Sequence, residues 1–426
     1  MLFLLALVST EALAAWTTIT VFDPPGQNLI IRSVGVAVDG SLSPDVEFFV
    51  ADGYDDQDDQ AALLYKYHAA SFSSRYVLVD DFPTNDEAYY LPSITTQDGD
   101  DDLYLSLKYW NTTESQYNLR ELVVDRDAPL TSPSPAEDTE IADDDDADKT
   151  NRSAIILDAT DDALQACFTR ENSSDDVFAN HRDLTGSWQS TEDTVQSGAG
   201  KQEHCDVAIL DGGGRVIAYQ DGDDIKIRFE STVGTEDYTV NITNGSSNVF
   251  AYPTIAVRTI SGTETVHVAA KDTDADSIKY RSCVPADAAE CDDAGDWSAN
   301  KTVEVGTSGN PKWPHLAVDE HGTVYAVYMD DISGVNDDRI RVSHLCSGGS
   351  AFANTDGGEV DGGIQGEGFS VSLTNVTGGG SRVYRTIAIN DDADKVRVVY
   401  IRDDDAGDTD FNWEARTGAT DLVSCS

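Results

Sequence analysis

The chain has 426 residues, with 78 acidic against 28 basic side chains and a formal charge of -50. Nucleic acid and anionic membrane surfaces would be repelled by such a charge, which excludes both as partners. The charge also repels itself, so the composition suits a saline or cation-rich medium in which ions screen it over about 8 to 10 Å.

An apolar run, LFLLALV, starts at Leu2 and gives way to the small-residue site Ala12-Leu13-Ala14. This is the layout of a secretory signal peptide, although no Lys or Arg precedes it, and it sets the expected boundary of an exported chain at residues 1–15 and 16–426. No later apolar stretch approaches the length of a membrane-spanning helix.

From there a phrase recurs: a short apolar strand, an Asp/Gly turn, a second alternating strand and an acidic cluster. Its clearest copies are PHLAVDEHGTVYAVYMDD (Pro314 to Asp331), YPTIAVRTISGTETVHVAAKD (Tyr252 to Asp272), DVAILDGGGRVIAYQDGDD (Asp206 to Asp224) and RTIAINDDADKVRVVYIRDD (Arg385 to Asp404). Weaker copies run from Ser33, Pro92 and Ser153. With starts near 33, 92, 153, 206, 252, 313 and 385, the spacing is roughly 45 to 70 residues, that of propeller blades with loop insertions. Within a copy the apolar residues alternate, as at Val324, Ala326 and Tyr328, so each strand packs on both neighbours. A third strand follows the acidic cluster (Leu64–Tyr67, Ile225–Ile227, Ile278–Tyr280, Ile340–Val342), and a weak fourth is clearest at Lys301–Val305 and Tyr238–Ile242. The expected fold is all-β: one propeller of seven four-stranded blades. Thr17–Phe22 should close it by joining the blade that contains Phe411–Arg416. The acidic Pro/Ser/Asp stretch at 129–150 reads as a solvated insertion between blades.

Six cysteines, an even number, agree with export. The expected pairs are Cys283 with Cys291 across a short loop, Cys167 with Cys205 between adjacent blades, and Cys346 with Cys425 at the C-terminus. They are one of fifteen connectivities that six cysteines allow. No Cys-x-x-Cys pair, Gly-x-Ser-x-Gly elbow, phosphate loop, dinucleotide fingerprint or His-Glu-x-x-His helix is present.

Function in a propeller sits on loops at one end of the ring. The end where second and third strands join carries Asp52, Asp221, Asp272, Asp330 and Asp403, the expected ligand face. Short acidic turns offer hard oxygen ligands for calcium, with Asp272, Asp274 and Asp276, and Asp403 and Asp405, as metal candidates. None completes an EF-hand loop, and salt-adapted hairpin turns remain the other reading. Seven Asn-x-Ser/Thr sequons add glycosylation sites if the host modifies them.

The segment IKYRSCVPADAAECDDAGDWSANKTVEV (Ile278 to Val305), with its Gly-x-Trp turn, and HRDLTGSWQSTEDTV (His181 to Val195) resemble the degenerate Asp-box turns of sialidase-like, BNR-type propeller repeats in secreted bacterial proteins. The full Ser-x-Asp-x-Gly-x-x-Trp spacing is not met. Nor is the Arg-Ile-Pro signature of working sialidases, Ile31-Arg32-Ser33 standing nearest to it. If a reaction is catalysed, Tyr252, His315, Tyr328 and Arg385 at the ends of inner strands are the candidates. A uronate lyase would also need a His or Tyr base and a positive group, and His315 at the start of an inner strand and His204 before another are the histidines best placed for it. The expected function is a calcium-assisted binding or surface-interaction module for a glycan or an extracellular protein. A carbohydrate-active enzyme (polysaccharide lyase or sialidase-like glycosidase) and a structural subunit of an extracellular assembly are the alternatives.

Overall fold

The computed structural model describes residues 17–22, 29–39, 46–55, 60–68, 76–80, 93–96, 102–111, 116–125, 137–142, 153–158, 162–170, 176–197, 204–243, 248–285, 291–304, 310–331, 338–364, 386–390, 395–403 and 413–425. The signal-peptide segment, Arg385, Asp405 and the Asp143–Asp148 run lie outside them.

The described residues form seven four-stranded antiparallel units. Blade 1 comprises Leu29–Asp39, Val46–Asp55, Gln60–His68 and Tyr76–Asp80; blade 2 Ser93–Thr96, Asp102–Asn111, Gln116–Asp125 and Glu137–Ala142. Blade 3 comprises Ala154–Asp158, Ala163–Arg170, Asp176–Asp183 and Asp193–Gln196; blade 4 Cys205–Ile209, Arg215–Asp221, Asp224–Glu230 and Tyr238–Asn241. Blade 5 comprises Phe250–Ile260, Thr263–Asp272, Ser277–Cys283 and Lys301–Thr302; blade 6 Asn310–Val318, Val324–Asp331, Asp338–Leu345 and Ala353–Ile364. Blade 7 takes Thr386–Asn390, Lys395–Asp403 and Trp413–Asp421 from the C-terminal part of the chain, and its fourth strand is Thr17–Phe22. The first strand of every blade packs beside the first strand of the next, and that of blade 7 beside that of blade 1, so the fold is a closed seven-bladed β-propeller.

The second strands are buried on both faces because a neighbouring blade lies against each; all but the last residue of Ala163–Arg170 and of Arg215–Asp221 is buried. Apolar layers fill the gaps between blades. Val216, Ala218, Ile225 and Ile227 of blade 4 meet Ile255, Val266 and Val268 of blade 5, and burial of each such side chain stabilises by about 1.5 to 3 kcal/mol. The recurring Asp of the repeat is a turn former. Asp319 Oδ1 accepts the Thr323 and His321 N–H groups at 2.7 and 3.0 Å, while Gly322 (φ 81°) supplies the left-handed step.

Inner strands leave one edge towards the neighbouring blade, and side chains satisfy it. Asp206 of blade 4 accepts the Ile255 N–H of blade 5 at 2.9 Å and the Thr254 hydroxyl at 3.0 Å. Thr254 Oγ1 in turn accepts the Leu316 N–H of blade 6 at 3.3 Å. Disulfides join Cys167 to Cys205 across blades 3 and 4, Cys283 to Cys291 within blade 5, and Cys346 to Cys425 between blade 6 and the C-terminal segment. Disulfides persist in oxidising compartments, which argues for a protein outside the cytoplasm.

Part of the stretch read as an insertion at 129–150 is the outer strand of blade 2. Glu137–Ala142 pairs with Gln116–Asp125, and Ile141 and Ala142 are buried. Its acidic neighbours conceal a single apolar pair, which is all an edge strand needs.

Candidate functional site

The inner strands of blades 4, 5 and 6 begin at the end of the ring that carries the turns between second and third strands. Ala251 pairs with Lys271 and Lys312 with Met329 there, and Gln220 N–H bonds His204 O. At this end three bulky residues hold left-handed backbone: His204 (φ 55°), Tyr252 (φ 56°) and Trp313 (φ 49°). Left-handed backbone costs a non-glycine residue of the order of 1 to 3 kcal/mol and clusters at functional sites.

The local cause is legible for two of them. Tyr252-Pro253 and Trp313-Pro314 put a proline, which cannot donate to the ladder, into the strand. The register slips there, between Ala251 and Thr254 and between Lys312 and His315. A bulge of this kind re-aims a side chain. A register shift between Ile31 and Ser33 puts Arg32 at the matching backbone position of blade 1.

The rings that result form a row across three blades. His204 lies 4.6 Å from Tyr252, centroid to centroid, and Tyr252 lies 6.1 Å from Trp313 with their planes at 71°. Tyr252 and Trp313 are half-buried and His204 is buried. Beside the row, Lys312 Nζ stands 5.8 Å from the Trp313 ring centroid, a cation–π distance. Lys271 is buried, donates to Asn310 Oδ1 at 2.6 Å and pairs with Asp276 at 3.5 Å. Its burial lowers its pKa below the usual lysine value, with Asp276 opposing the shift.

Among the expected catalytic residues, Tyr252 is in the row. His315 follows the Trp313 bulge and is half-buried. Tyr328 is elsewhere: it is fully buried in the apolar layer between blades 5 and 6, with Tyr280, Ala269 and Leu316. An alternating strand sends every second side chain into such a layer, and Tyr328 falls on that phase.

The expected ligand face divides. Asp272 is 2% exposed, its carboxylate accepting the Asn248 side-chain amide at 2.9 Å and the Ala275 N–H at 3.0 Å. Asp330 is fully buried and stands 2.9 Å from Arg341 Nε. Both turn inward at the strand end, where an unpaired carboxylate would be costly, and so do not face solvent. Asp221 pairs with Lys226. Asp403 ends its second strand, Asp52 lies within the second strand Val46–Asp55, and both side chains lie outside the described residues.

Of the metal candidates, Asp274 accepts the Val249 N–H at 3.1 Å and Asp276 pairs with Lys271, so the 272–276 turn is held by protein groups. Among the described residues no cluster of three or more His, Cys, Asp or Glu is arranged to hold a metal ion. The two tryptophan turns are internal wedges. Trp188 donates to Glu121 Oε2 at 2.8 Å across the gap between blades 3 and 2, and Trp297 donates to Cys291 O at 3.2 Å within the layer between blades 4 and 5.

No family model and no curated protein matches the chain by sequence. Solved structures do match. The GH93 α-L-arabinofuranosidase of Fusarium graminearum in complex with arabinobiose is 12% identical with a TM-score of 0.50, over 78% of this chain and 98% of that one. The Penicillium chrysogenum α-L-arabinanase complexed with arabinobiose is 14% identical (TM-score 0.49; 78% and 98% covered). The Aleuria aurantia lectin complexed with Fucα1-6GlcNAc is 9% identical (TM-score 0.47; 76% and 95% covered). At these identities the likeness is one of fold, and the fold is a β-propeller.

Proposed function

We propose that this propeller is an exported glycan-binding module whose sugar site is the row His204, Tyr252 and Trp313. The observation that carries the reading is the strained backbone at three matching blade positions, which brings three rings together where packing alone would not. A sugar ring offers an apolar C–H face that stacks on aromatic π faces, while polar side chains at the edge, here Lys312 and Asn310, take its hydroxyls. The arabinobiose complex of the Fusarium propeller supports a sugar as a ligand suited to this fold.

The test is a glycan array with the mature protein, followed by chromatography of any retained glycan after prolonged incubation. Retention without bond cleavage supports the binding module. Cleavage products would move the protein to the carbohydrate-active enzymes, and absence of retention would remove the reading.

A further inference from the structure

The other end of the ring holds a second recess. Between blades 4 and 5, the turn from the first to the second strand of blade 4 and the start of its fourth strand enclose a cleft of about 200 Å³. One wall is aromatic, Phe229 and Tyr238 being stacked with centroids 4.6 Å apart. The polar lining carries three carboxylates, Asp211, Asp237 and Glu264, and among the described residues no Lys or Arg lines the cleft. Each of two carboxylates uses one oxygen within the protein: Glu264 Oε1 accepts the Asp211 N–H, and Asp237 Oδ2 accepts the Ser231 N–H. Val284, a large aliphatic side chain left 43% exposed, stands one residue from the lining.

The 272–276 acidic turn, by contrast, is held by protein groups. A bare metal ion would find no converging trio of ligands here among the described residues and no use for the aromatic wall, and a carboxylated sugar would meet like charge. A neutral apolar group would leave the carboxylates unanswered. We infer that the cleft binds a protonated primary amine on a compact body, with the ammonium beside Glu264 and Asp211, which lie against each other, and the body against Phe229 and Tyr238. Burial raises the Glu264 carboxyl above the usual carboxylate range, with the charge of Asp211 adding to the shift. An arriving cation would reverse that cost. The site is independent of the aromatic row, which lies at the opposite end of the strands.

Such an amine could be a free diamine, a lysine side chain or an amino sugar, and calorimetric titration separates the three. The probes are cadaverine, Nα-acetyl-lysine amide and glucosamine, each beside its neutral counterpart (pentanediol, Nα-acetyl-norleucine amide, glucose). Salt at about 0.5 M suppresses diffuse attraction to the whole charged surface. At least one amine should bind with 1:1 stoichiometry and at least tenfold more tightly than its neutral counterpart, and that amine names the source. Glu264→Gln and Asp211→Asn should each weaken it about tenfold with the melting temperature unchanged, and Trp313→Ala should leave it intact. The inference is overturned if no amine saturates, or if both variants bind as wild type does, which would reduce the effect to counter-ion attraction.

Discussion

Arg215 is fully buried, and three partners meet it: Glu230 at 2.7 Å, Asp193 at 2.7 Å and the Gln165 side chain at 3.2 Å, the last two from the neighbouring blade. Arg182 grips both oxygens of Glu121 across blades 3 and 2, and Arg397 bonds Glu47 across blades 7 and 1. In a chain with few basic residues, arginines thus tie blade to blade. Glu230 also holds Arg228, whereas removing Arg182 would leave the fully buried Glu121 without its cation, so Arg182→Met should destabilise by about 3 to 5 kcal/mol in denaturant unfolding. His267 is a second residue-scale test. Burial, with the nearby Lys301 charge adding, depresses its pKa from 6.5 to about 4. The fold prefers the neutral ring, so the unfolded chain takes up the proton first. Stability from this group is therefore lost as pH falls from about 6.5 to about 4, by up to about 3 kcal/mol. Loss of carboxylate repulsion acts in the opposite sense over the same range. The check is thus the difference between proteins: His267→Gln should lack this part of the wild-type pH slope.

At the scale of the element, ring closure rests on Thr17–Phe22, paired antiparallel with Trp413–Asp421. Its Val21 is fully buried. Deleting residues 17–22 removes this ladder and should cost of the order of 5 kcal/mol. A synthetic TTITVF peptide should recover part of the lost melting temperature by adding back the strand. That closing strand is legible in the sequence, as are the first two strands of the blades and the third strands of blades 1, 4, 5 and 6, because period-two alternation around an Asp/Gly turn is a strong local signal. The outer strand Glu137–Ala142 was not, since it packs on one side only and two buried residues do not make a pattern. The aromatic row was half legible. Tyr252 and His204 stand out as candidates at strand starts, but Trp313 does not, because a bulge leaves no periodic trace. The signal on offer was the aromatic-Pro pair that opens both inner strands, Tyr252-Pro253 and Trp313-Pro314. The inward turn of Asp272 and Asp330 was not legible either, because a strand's last residue looks alike in sequence whether it faces solvent or a partner.

For the whole molecule the dominant quantity is the charge of -50. Screening should raise the melting temperature steadily from low salt towards molar sodium chloride, and potassium chloride should act equally, since the effect is one of ionic strength. A rise confined to one cation would point to a specific site in its place. Closure of seven blades, with arginines such as Arg182, Arg215 and Arg397 tying neighbours together, gives the frame that holds three aromatic residues in left-handed backbone. Affinity of the glycan retained on the array should then depend on that row and not on overall stability. The deciding measurement is the binding isotherm of that glycan for wild type, Tyr252→Ala and Trp313→Ala, each with its melting temperature. The account predicts a loss of about tenfold or more for each variant, ~1.4 kcal/mol, with folding intact. Wild-type affinity in both variants would contradict it.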